Sequence, residues 1–102
     1  MIIVMTTVPT SFDANRLATL IVAEKLAACV QTLPPTMSTY FWEGVIRSES
    51  EILLLIKSLP EKFTEIEGFL KANHPYDVPE IVAIKAETCS ADYLKWVTDY
   101  VG

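Results

Sequence analysis

Ile52-Leu53-Leu54-Leu55-Ile56 is an unbroken apolar run, with no polar residue at alternate positions. At the two-residue period of a strand, such a run turns apolar side chains to both faces of a sheet. It reads as a central strand buried on both sides, and that demands covering layers from the rest of the chain. The segment from about Phe12 to Ala28 supplies one as a helix. Thr10 or Ser11 can cap it by accepting an orphan backbone N–H, and Asp13 suits the positive end of its dipole. Its polar residues do not gather on one face, while Leu17, Leu20, Ile21, Val22 and Leu26 surround most of the circumference. A helix apolar on several sides is expected to pack against its own sheet and a neighbouring subunit. The composition agrees: 51% of the 102 residues are hydrophobic, more than one small core needs.

The remaining elements follow from periodicity and punctuation. Ile2 to Thr7 is a β-branched run and a short strand. A second strand begins at Cys29–Leu33, is interrupted by Pro34-Pro35, which cannot donate to a ladder, and resumes over Met37–Trp42. Tyr40 and Trp42 share one face of it and Phe41 takes the other. Gly44 suggests a bend, and Ser48-Glu49-Ser50 a hairpin turn. Ser58-Leu59-Pro60-Glu61 has the form of a capping box with proline in the first turn. The helix it opens carries Phe63, Ile66 and Leu70 on one stripe and ends at Asn73 and Pro75. Val78 to Ala86 reads as another strand, and Ser90 caps a last helix whose Tyr93, Leu94, Val97 and Val101 face one way. The order β-α-β-β-α-β plus a terminal helix predicts an α+β, ferredoxin-like sandwich as a single domain over residues 1–102. That fold hosts many activities and specifies none.

The net charge is −5 and the basic residues are scattered singly, which speaks against nucleic acid or an anionic membrane surface as partner. The apolar start Met1–Met5 has no basic flank and is too short for a signal peptide. Glu24-Lys25 breaks the most apolar segment, so no membrane span is expected. Two cysteines, Cys29 and Cys89, in a chain with ample core point to reduced thiols and a cytoplasmic protein.

Catalytic patterns are missing. Gly44, Gly68 and Gly102 are isolated, so there is no phosphate loop, and neither a nucleophile elbow nor Cys-x-x-Cys occurs. An enzyme is not expected. The only histidine opens the stretch His74-Pro75-Tyr76-Asp77-Val78-Pro79-Glu80-Ile81. His74 is either a helix-terminal side chain interacting with the last carbonyls, or an imidazole ligand for a cation such as Cu(II) with carboxylates from Asp77 or Glu80. Spacing alone favours the first. Cys29, between Ala28 and Val30, reads as a buried small hydrophobe. Tyr40 and Trp42 read as core or interface residues, and Lys57 as a charge projecting from a strand end. Glu43, Glu49 and Glu51 read as a solvated tip.

Ala23–Val30, Tyr40-Phe41-Trp42-Glu43-Gly44, Leu55-Ile56-Lys57, His74–Ile81 and Tyr93-Leu94-Lys95-Trp96 together resemble the CutA divalent-cation tolerance proteins, in order and over nearly the whole chain. The resemblance implies a homotrimer with edge strands pairing between subunits, architectural kinship to PII signalling proteins, and a role in tolerance of copper and other divalent metals. His74 and Cys29 match family positions directly. Thr6 stands where some bacterial members carry a cysteine, and Asn73 where some carry a second histidine, which implies weaker copper affinity or another geometry. The expectation is a cytosolic trimer binding Cu(II) or a similar cation through His74, with Asp77 and Glu80 auxiliary, Cys29 as a further candidate, and no organic cofactor. The alternatives are a PII-like sensor holding a small ligand in an inter-subunit cleft with Tyr40, Trp42 and Lys57, and a structural interaction trimer.

Overall fold

The computed structural model describes residues 1–102. The strands are β1 (Ile2–Val8), β2 (Cys29–Thr32), β3 (Thr36–Trp42), β4 (Val45–Ser58) and β5 (Val82–Lys85), and the helices are α1 (Ser11–Ala23), α2 (Phe63–Asn73) and α3 (Ala91–Val101). A single 3-10 turn, Pro60–Lys62, leads into α2. The sheet order is β2-β4-β1-β5 with every pairing antiparallel, and β3 pairs with the first half of β4. β2 and β3 are therefore two pieces of one strand broken at Pro34-Pro35, and the expected β-α-β-β-α-β order with a terminal helix is present.

Alternate residues of the two central strands face the helices. Val4 and Val8 of β1, and Leu54 and Ile56 of β4, pack with Leu17 and Ile21 of α1 and Ile66 and Leu70 of α2, all without exposure. Each of these large side chains contributes about 1.5–3 kcal/mol by leaving water. The other face of β4, at Leu53, Leu55 and Lys57, is only half-covered within the subunit. A smaller cluster joins Ala28 to Val97 and Val101 of α3, while Leu94 points outward, contrary to the sequence pattern.

Three local expectations are corrected. α1 stops at Ala23, not Ala28, because Lys25 adopts a left-handed φ of 59°. The Leu26 N–H then reaches the Ile21 carbonyl and the Lys25 N–H the Val22 carbonyl, a Schellman closure without the usual glycine. Ser58 is no helix cap: it ends β4, fully buried, and its Oγ donates to the Leu26 carbonyl at 2.6 Å. The hairpin turn lies at Glu43-Gly44, with φ of 49° and 81°, so Trp42 pairs with Val45 through a two-residue loop. Ser48-Glu49-Ser50 lie inside β4. The first half of β4 and all of β3 thus form a two-stranded arm beyond the packed body, which stretches the chain to 45 × 25 × 24 Å.

Candidate functional site

β5 covers the outer edge of β1 only along Ile2–Met5, which leaves the edge from Thr6 onward without a strand. β5 begins at Val82, three residues beyond Pro79, and ends at Lys85, so it is shorter than the expected Val78–Ala86. The segment after α2 occupies that gap. The His74 N–H continues α2 by bonding the Leu70 carbonyl, and Arg16 Nη2 holds the Asn73 carbonyl at 2.9 Å. The His74 ring then turns onto β1, with Nε2 2.9 Å from the Thr7 carbonyl and 3.1 Å from Thr6 Oγ1. Its Nδ1 accepts the backbone N–H of Tyr76 at 3.1 Å. A carbonyl partner on one side and an N–H on the other select the neutral tautomer protonated at Nε2. Desolvation lowers the imidazole pKa from 6.5, against an opposing pull from the Thr7 hydrogen bond and the charges of Asp13 and Glu51.

The next aromatic completes the clamp. The Tyr76 hydroxyl donates to Glu51 Oε2 at 2.6 Å, with its ring 5.0 Å from that of His74. Burial, and then the bond to Glu51, push the phenol pKa well above its ordinary 10 and keep it a donor. Glu51 is only 8% exposed. It was expected at a solvated tip, and the correction comes from a partner that is remote in sequence.

Beside this clamp lies a groove of about 710 Å³, walled by the inner face of the arm and by residues 75–78 and Glu80. The antiparallel register sets Arg47 opposite Tyr40, Glu49 opposite Ser38 and Glu51 opposite Thr36, so these side chains alternate onto one face. Tyr40, Trp42 and Tyr76 supply aromatic surface; Glu49, Glu51, Asp77 and Glu80 supply carboxylates; Arg47 is the one basic group. Desolvation, and then the neighbouring Glu49, raise the Tyr40 phenol pKa. On the outer face of the arm, Met37, Phe41 and Ile46 are 65–75% exposed.

The expected site residues divide into two places. Asp77 and Glu80 line the groove with Tyr40 and Trp42, and His74 stands behind it as a fastener. Lys57 does not join the cleft residues within the chain. It lies at the far end of the β1–β4 ladder, opposite Ile3 and Cys29, with Nζ 5.7 Å from the centre of the Tyr93 ring. Half-buried Cys29 is likewise remote from His74. No three His, Cys, Asp or Glu side chains in the subunit converge on a point that could hold an ion. With both ring nitrogens of His74 also engaged, the expected metal set does not form a closed centre within the chain. Glu51, Arg47 and Tyr76 were not foreseen as a group. A two-residue turn at Glu43-Gly44, read from its glycine, generates the register that assembles the first two with Tyr40.

Comparison with known proteins identifies the framework. Residues 2–100 match the family model described as CutA1 divalent ion tolerance protein. The chain is 42% identical over 96 residues to the rice chloroplastic protein CutA 1, covering 94% of this chain and 54% of that protein. It thus spans about half the length of the plant relatives it matches. The divalent-cation tolerance protein CutA of Thermus thermophilus is 39% identical, with 98% of this chain and 97% of that one covered. The solved structure of the Thermus protein superimposes with a TM-score of 0.95, over the whole of both chains at 39% identity. Sequence, fold and coverage agree over the full span of the sheet and helices, and the chain belongs to the CutA1 divalent ion tolerance family.

Proposed function

We propose that this chain is a non-catalytic binding subunit in the response to divalent metal ions, that it meets Cu(II) or a similar cation at the acidic groove, and that it works as a homotrimer in the cytoplasm. The observation that carries this reading is the groove itself, where Glu49, Glu51, Asp77 and Glu80 face one guanidinium, Arg47. Low-dielectric walls around charges of one sign focus the field and concentrate cations. His74 serves here by holding residues 75–80 against the sheet and not as a direct ligand. Its engaged nitrogens and the protonated Tyr76 leave neither group free to act as a base, which supports binding without turnover.

Tight coordination needs more donors than one subunit brings together, and assembly would provide them. The outer edge of β5 is unpaired and carries exposed Val82 and Ile84, and the arm presents Phe41 and Ile46 to water. Open edges with apolar side chains favour closure against copies of the same chain. Free thiols at Cys29 and Cys89 suit a reducing compartment.

Copper titration followed by electron paramagnetic resonance tests the cation site. The expected result is oxygen-dominated coordination that His74→Ala leaves in place and Asp77→Asn with Glu80→Gln weakens. Nitrogen coupling that disappears in His74→Ala would instead make the imidazole a ligand. Sedimentation equilibrium should return three times the 11.4 kDa subunit mass, and a stable monomer would remove the assembly.

A further inference from the structure

The groove has room for something larger than an ion. A metal centre requires several donors at roughly 2–2.5 Å from one point, and no such convergence of three ligating side chains exists in the subunit. A volume of about 710 Å³ lies within the range of small-molecule sites, and two exposed aromatic side chains, Tyr40 and Trp42, form part of its wall.

Glu51 adds the specific feature. It is more than nine-tenths buried, yet it has no basic partner: every ion pair in the subunit lies elsewhere, on the helices and the turn before α2. One carboxylate oxygen accepts the Tyr76 hydroxyl. The other has no hydrogen-bond partner in the protein. Since no fully buried polar side-chain atom in the chain lacks a partner, that second oxygen is not fully buried, and Glu51 is one of the residues that line the groove. A buried carboxylate with one open oxygen is a strong acceptor for a charged donor, because a charge-assisted bond offsets desolvation that a neutral contact does not.

We infer that the groove binds a small organic cation, a primary or secondary ammonium whose N–H groups donate to the open oxygen of Glu51 while its carbon skeleton lies against Tyr40 and Trp42. The aromatic faces attract such a cation within about 6 Å of their centroids. Asp77 and Glu80, at the rim, take a second ammonium group if the ligand carries one. An anionic ligand would have Arg47 alone to oppose the carboxylates. This inference rests on reading the groove as the ligand site and names the class of ligand that fits it.

The test uses the full chain in its native assembly and three probes of matched length: 1,4-diaminobutane, 1,4-butanediol and succinate, titrated calorimetrically near neutral pH. The diamine should bind saturably at one site per subunit, whereas the diol and the dianion should not. Glu51→Gln keeps an acceptor for the Tyr76 hydroxyl and removes the charge, and it should weaken the diamine at least about tenfold. Trp42→Ala should weaken it as well, and Glu87→Gln, on the surface before α3, should not. The inference falls if the diamine gives no saturable heat up to about 10 mM, if Glu51→Gln binds as wild type does, or if succinate binds equally well. A parallel Cu(II) titration separates the two readings. Copper binding weakened by Asp77→Asn with Glu80→Gln, without diamine binding, preserves the divalent-cation reading and overturns this one. Diamine binding without copper binding does the reverse.

Discussion

The hydroxyl of Tyr76 lies 2.6 Å from Oε2 of Glu51 and so fastens the segment after α2 to β4 where the arm leaves the body of the sheet. A neutral donor bonded to a carboxylate is worth about 1.5–3 kcal/mol. Tyr76→Phe should therefore lower unfolding stability by about 2 kcal/mol, read from urea denaturation midpoints. An unchanged midpoint would mean that water replaces the phenol without loss.

His74 gives the clamp a pH dependence with a definite sign. Its folded pKa is depressed by burial, so between that value and the unfolded 6.5 the unfolded chain binds more protons than the folded one. The contribution is complete above pH 6.5 and declines as the pH falls toward the folded value. Protonation at Nδ1 would also set an N–H against the Tyr76 N–H. Stability measured between pH 7.5 and 5 should fall more steeply for wild type than for His74→Gln, because the difference isolates the imidazole from the carboxylates. Parallel curves would show that the ring titrates alike in both states.

Ser58 offers a test in the core. Its Oγ donates to the Leu26 carbonyl in a fully buried setting. Ser58→Ala leaves that carbonyl without its side-chain donor and should cost about 1–3 kcal/mol. A loss well below that range would show that the backbone after α1 relaxes to find another partner.

The turn at the tip of the arm can be improved. Glu43 occupies a left-handed conformation that Asn adopts more readily, followed by Gly44 at φ 81°. Glu43→Asn should stabilise the hairpin by about 0.5 kcal/mol or more, visible as a higher melting temperature. Loss of stability would indicate a role for the Glu43 carboxylate beyond the turn.

The strands and helices were largely legible because their signals are local. The Ile52–Ile56 run, the proline break between β2 and β3, and the Phe63, Ile66, Leu70 stripe each report their own neighbourhood. The arm was legible only in part. Ser48-Glu49-Ser50 resembles a turn because one face of a two-stranded arm remains wet and the other lines a polar groove. The burial of Glu51 escapes the local sequence for a related reason: it depends on Tyr76, far along the chain, and on a register fixed by the turn at Glu43-Gly44. Ser58 looked like a cap because Pro60 and Glu61 follow it, but its hydroxyl had a closer carbonyl at Leu26. The separation of Lys57 from Tyr40 and Trp42 follows from the length of β4, which residue type does not encode.

One strand of the arm is continuous with the sheet and its partner is severed at the proline pair. Mechanically this makes β4 a cantilever, anchored in the sheet through its second half and carrying β3 on its first, with Glu51 at the root. The two walls of the groove are therefore riveted to each other by one side-chain hydrogen bond, the phenol–carboxylate contact between Tyr76 and Glu51.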